Sequence, residues 1–174
     1  MRVFAAVIAL FLAVSSVQAS PPGSTQTPPQ SPQVLTYTQT MQMIQLVQRA
    51  EDLVINGDFL AANAVADQIL AHPGFAAQNE VLDAPMAEFF GGRVVQSTIR
   101  GGILALIGDI KANIGEEALA LELLDRAELG QGPADYIFVS RVTAHAMAED
   151  WPTAARTMVD YTAAHPGEPV SEMS

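Results

Sequence analysis

The strongest constraint on this chain is a helical hydrophobic period that is cut, again and again, by short turn-forming clusters. Met41, Ile44, Leu46, Val47, Ala50, Leu53 and Val54 recur at the three-to-four spacing of an amphipathic helix. Asn56-Gly57-Asp58 interrupts them, Gly57 being suited to the left-handed position after a helix and Asp58 to capping the next. A second helical segment, Phe59 to Ala71, ends at His72-Pro73-Gly74. The same grammar returns twice. Ile103 to Ile114 leads through Gly115-Glu116-Glu117 into a helix that runs to Leu129 and closes at Gly130-Gln131-Gly132-Pro133. Tyr136 to Ala148 leads through Glu149-Asp150-Trp151-Pro152 into a helix that runs to Ala164 and closes at His165-Pro166-Gly167. No strand-like alternation of β-branched residues is sustained, so the expected fold class is all-α.

Gly115 and Glu149, at two corresponding turns, lie 34 positions apart. Gly108, Gly115, Ala120, Leu124 and Ala127 form one set of small and apolar positions in that register, with Pro133 one step late. Trp151, Ala154 and Pro166 repeat it, although Val142 stands where a small residue is expected, and Ala50, Gly57, Phe59 and Ala62 give a third set with Pro73 one step early. In this pattern the chain resembles the tetratricopeptide repeat family over roughly residues 36–166. The resemblance implies helix-turn-helix units, at about 43–74, 101–133 and 135–166, stacked as a short right-handed solenoid. Gly57 to Gly115 spans 58 positions, so an insertion, 75–92, separates the first two units. Glu80, Val81, Leu82, Met86, Phe89 and Phe90 read there as one short helix around Pro85, either an extra packing element or the sign of a free-standing first hairpin.

In front of this body, Arg2 and the apolar run Val3 to Val14 precede Val17-Gln18-Ala19, the pattern of a cleavable secretory signal over residues 1–19. Residues 20–33, with five Pro, read as a disordered linker, and 167–174 as a polar tail. The expected location is therefore outside the cytoplasm, in a periplasm or secreted, with no membrane span after signal cleavage.

Chemistry is sparse. The chain has no Cys, which removes disulfides and thiol chemistry. Its net charge of −11, with Lys111 its single lysine, argues against nucleic acid as a partner. His72 and His165 sit at helix ends, where an imidazole can meet the last carbonyls, and His145 with Glu149 supplies two candidate ligands without a third. Gly91-Gly92 and Gly101-Gly102 lack the context of a phosphate loop; they read as a helix end and as a close approach at the start of the next helix. Glu51-Asp52, Glu116-Glu117 and Glu149-Asp150 read as helix starts or exposed faces, and Ser97 and Ser140 lack a nucleophile-elbow context. No catalytic, cofactor-binding or metal residue is assigned, and no cofactor is expected.

Surface recognition remains. The resemblance implies a concave groove lined by the first helix of each unit: Ile44, Val47, Glu51 and Val54, then Ala105, Asp109 and Asn113, then Tyr136, Val139, Thr143 and Met147. The same residues can equally be inter-helix core. An apolar groove with two acids suits an extended or helical apolar or basic segment. The expected function is a non-enzymatic adaptor that binds another envelope or secreted protein. The alternative is a small envelope enzyme or ligand-binding protein with a pocket near Phe89, Arg93 and Arg100, the two arginines being placed on one helix side. Self-association through the last helix, by Met158 and Tyr161, is a third possibility.

Overall fold

The computed structural model describes residues 37–76, 82–90 and 93–164, with 37, 38, 40, 86–90 and 93–96 described through their backbone. The signal at 1–19, the linker at 20–33, Gly91-Gly92, His165, Pro166 and the tail at 167–174 lie outside the described residues.

The chain is mainly helical. In order come α1 (Tyr37–Ile55), α2 (Phe59–Ala71), the short α3 (Pro73–Ala76), β1 (Pro85–Phe90), β2 (Arg93–Thr98), α4 (Ile99–Asn113), α5 (Glu117–Leu129), α6 (Ala134–Met147) and α7 (Trp151–Ala164). Consecutive long helices pair: α1 with α2, α4 with α5, and α6 with α7. Each pair then packs on the next, α2 and α1 against α4, and α4 and α5 against α6. No described helix is long and apolar enough to cross a membrane.

Local hydrogen bonding explains where these helices stop. After α1, the Gly57 N–H donates to the Val54 carbonyl at 2.9 Å and the Asp58 N–H to the Leu53 carbonyl at 2.9 Å. This double closure satisfies carbonyls that the helix end would orphan, and it places Gly57 at φ +75°. The same pair of bonds recurs at Gly115 and Glu116, at Gln131 and Gly132, and at Glu149 and Asp150. Gly115 takes φ +82°, whereas Gln131 and Glu149 reach +56° and +62° with a side chain to accommodate. Two of the following helices, α2 and α7, also receive a side-chain cap. Asp58 Oδ1 accepts from the Ala61 N–H at 3.1 Å, and Asp150 Oδ1 accepts from the Thr153 N–H at 3.2 Å.

The core gathers around α4, in which every residue from Gly101 to Ala112 is buried. Ile103, Leu104, Ile107 and Ile110 join Met43, Val47 and Ala50 of α1, Val65 and Ile69 of α2, and Leu123 and Leu124 of α5 in one cluster. Two small residues set how closely α4 is approached. A Cβ on Gly108 would come within 2.7 Å of the Leu124 side chain. On Gly101 it would meet backbone, 2.5 Å from Gly132 N and 2.6 Å from Gly130 O. The close approach expected at Gly101-Gly102 is thus made with the turn that joins α5 to α6. Thr98 fixes that contact. Its N–H donates to the Gln131 carbonyl at 3.0 Å, its hydroxyl donates to the Gly130 carbonyl, and its Oγ1 accepts from the Gly101 N–H at 3.0 Å.

Lys111 ties the first pair of helices to the second. It is 3% exposed, yet its Nζ reaches Asp67 of α2 at 2.9 Å and Glu116 at 3.1 Å, both at the surface. Burial alone would lower the pKa of this ammonium; the hydrogen bonds and charges of Asp67 and Glu116 outweigh it and raise the pKa. The stem packs inside while the charge emerges between two acids.

The insertion departs from expectation. Met86, Phe89 and Phe90 belong to a strand rather than to a helix around Pro85: β1 pairs antiparallel with β2 from Pro85↔Thr98 to Phe90↔Arg93. The aromatic run on one side of Gly91-Gly92 and the β-branched run on the other favour extended backbone, and a two-residue separation suits a hairpin. Arg93 therefore lies in β2 and Arg100 in the first turn of α4, not on one side of a common helix.

The backbone contact at Gly101 leaves no room for a methyl group. Gly101→Ala should cost about 3 kcal/mol, because the atoms it strikes belong to main chain; a chemical denaturation midpoint close to that of the parent would contradict the packing. Glu149→Gly should do the opposite and stabilise by about 1 kcal/mol, because glycine adopts φ +62° without a Cβ penalty, read as a rise in the same midpoint.

Candidate functional site

The face shared by α1, α4 and α6 carries the most unusual side-chain arrangement in the molecule. Asp109, on the third turn of α4, is 9% exposed. Its Oδ2 accepts from the Tyr136 hydroxyl at 3.0 Å, and its Oδ1 accepts from the Asn113 amide at 3.2 Å. Ser140 Oγ stands 3.1 Å from Oδ1 and 2.8 Å from the Tyr136 carbonyl, so its single proton serves one or the other. Tyr136 and Ser140 are four apart on α6, and Asn113 follows Asp109 by four on α4, so helical spacing alone points both pairs at one spot.

The three side chains that hold Asp109 are all neutral. Desolvation raises its pKa, and the bonds from Tyr136, Ser140 and Asn113 offset only part of that effect. The Tyr136 phenol is pushed well above 10, first by burial, then by the charge of Asp109 and its hydrogen bond, and finally by the charge of Glu51. It stays a donor across the physiological range. Glu51 thus brings α1 into the same electrostatic site. Its own pKa is raised to about 7, mainly by burial and further by the adjacent Asp52. Two acids from different helices therefore act on one phenol carried by a third, and Ile44, Val54, Val139 and Thr143 of α1 and α6 are half-buried.

The eleven residues expected to line a groove separate by depth. Val47 and Ala105 are fully within the core and present no surface, so they are not groove residues. Val54 and Tyr136 pack against that core while keeping an exposed edge. Thr143 turns its hydroxyl back to the Val139 carbonyl at 3.0 Å, leaving its methyl for the surface. Met147, 52% exposed, stands free at the far end of α6. Ile44, Glu51, Val54, Asn113, Tyr136, Val139 and Thr143 are half-buried and Met147 is exposed, so these eight keep some surface, whereas Asp109 keeps little.

Other candidates resolve into structural roles. Arg100 forms an ion pair with Asp83 through Nε, donates from a terminal nitrogen to the Phe75 carbonyl, and lies 5.3 Å above the Phe75 ring. It anchors the segment that leads into the hairpin, so the pocket near Phe89, Arg93 and Arg100 loses its central cation; the side chains of Phe89 and Arg93 lie outside the described residues. His145 does not pair with Glu149. Its Nδ1 meets Glu117 of α5 at 2.9 Å, because Glu149 occupies the left-handed turn position. His72 turns its Nδ1 toward the Gly74 N–H at 3.2 Å, accepting from the next segment rather than meeting the last carbonyls of α2. Ser97 and Ser140 are buried. Among the described residues no group of three or more acids or histidines is placed to hold a metal ion.

Glu51 gives the site a pH signature. In the unfolded chain it releases its proton near 4.5, whereas in the fold it retains it to about 7. The contribution of Glu51 to stability is therefore greatest below pH 4.5, falls as pH rises from there to about 7, and levels off above that. Glu51→Gln should match the parent at pH 4 and be more stable at pH 8, with a shallower dependence between, read from denaturation midpoints across that range; parallel profiles for the two proteins would contradict the assignment. Comparison of the chain with protein-family models, curated protein sequences and solved structures finds no match.

Proposed function

We propose that this protein is an exported, non-catalytic adaptor, built as a short tetratricopeptide-like solenoid, which captures an extended or helical apolar segment carrying a basic residue on the face formed by α1, α4 and α6. The observation that carries the reading is the convergence of Glu51, Asp109 and Tyr136, each from the first helix of its pair, on one negative patch bordered by apolar side chains. An incoming ammonium or guanidinium near Glu51 relieves the repulsion and supplies the positive charge that the neutral partners of Asp109 lack. The flanking Ile44, Val54, Val139 and Met147 offer contacts to apolar side chains on either side of such a residue. The apolar run and small-residue site at 1–19 support an envelope or secreted partner.

Substitution of Asp109 or Tyr136 would disturb a buried network, so the test belongs on the exposed rim. Selection from a random peptide display library should enrich sequences that combine Lys or Arg with apolar residues. Met147→Arg should reduce binding of a selected peptide by about tenfold, as expected for an interface residue worth roughly 1.4 kcal/mol. Binding should tighten from pH 6 to pH 8 as Glu51 ionises. No enrichment of basic residues, or affinity indifferent to both Met147→Arg and pH, would remove the support for this reading.

A further inference from the structure

The two ends of the helical stack are finished differently. At the first end, the outward side of α1 carries Gln42, Gln45, Arg49 and Asp52, all exposed, a solvated face. At the other end, α7 packs on α6, and Ala154 is its single buried residue. In the earlier pairs the second helix is covered by the next pair, α2 by α4 and α5 by α6. The corresponding side of α7 carries Trp151 at 63% exposure, Met158 at 43% and Val159 at 66%, with Ala155 and Thr162 exposed between them. The spacing of these five places them along one helix side, and none is charged.

We infer that this stripe is an interface between two copies of the chain, α7 lying antiparallel on α7 about a two-fold axis. Three observations select that occupant. A chain of net charge −11 repels its own copies over most of its surface, and this stripe is free of charge. Head-to-tail stacking would set the stripe against the polar and charged α1 face, whereas a two-fold arrangement sets apolar on apolar. An antiparallel pairing also matches large with small, Trp151 beside Thr162 and Met158 beside Ala155.

Light scattering on the full chain over a range of concentrations tests the pairing. A mass that rises from one chain to two with concentration is expected. Val159→Glu, at an exposed position that leaves the fold intact, should weaken the dimer about tenfold or more. Ala155→Trp should weaken it too, because the antiparallel register sets position 155 of one protomer against Met158 of the other, where two large side chains cannot both fit. A single-chain mass at every concentration, or a dimer unaffected by Val159→Glu or by Ala155→Trp, would each overturn the inference.

Discussion

Everything in this molecule is arranged around a helix that cannot face water on any side. The stretch from Gly101 to Ala112 is buried throughout, and a helix apolar on all sides has to be enclosed. α1 and α2, then α5 and α6, supply that enclosure, and the length of the chain goes largely into building it. The two ionisable residues on α4 within this stretch meet burial in opposite ways. Lys111 escapes along its stem to two surface acids, while Asp109, too short to escape, is held by neutral donors. One residue stitches the fold across helix pairs; the other leaves a concentrated negative patch beneath an open face.

That contrast explains why a candidate site forms where it does. A short acid on an otherwise apolar helix has to be satisfied from a neighbouring element, and α6 offers Tyr136 and Ser140 at the correct helical interval. The arrangement comes at some cost to stability, since groups held away from their preferred ionisation states oppose folding near neutral pH. Glu51 adds to the cost and to the field.

The helix pairs and their turns were legible because they depend on local chemistry. Gly57, Gly115 and Asp58 act within six residues of themselves, and their effect can be read without knowing what lies across the molecule. Depth was not legible: Val47 and Glu51 share a helical face, but periodicity gives the direction of a side chain and not how much lies above it. The hairpin was misread for a related reason. Met86, Phe89 and Phe90 fit a helical spacing as well as a short strand, and the discriminating signal was the Gly91-Gly92 pair between an aromatic and a β-branched run. The partners of Arg100 and His145 lie 17 and 28 positions away respectively, and no short-range pattern announces them.

The two seams between helix pairs also differ in what holds them. Between the first and second pairs, ion pairing through Lys111 with surface acids accompanies the apolar contact. Between the second and third, main chain meets main chain, Gly101 against Gly130 and Gly132, with Thr98 bonded across the junction, while Arg141 of α6 reaches Asp125 and Glu128 of α5 nearer the surface. Dissolved ions screen such exposed pairs and leave the main-chain contact almost untouched. The spacing on that side of α4 is therefore set by groups without net charge, and a rise in ionic strength can weaken the ties around the junction without moving the junction itself.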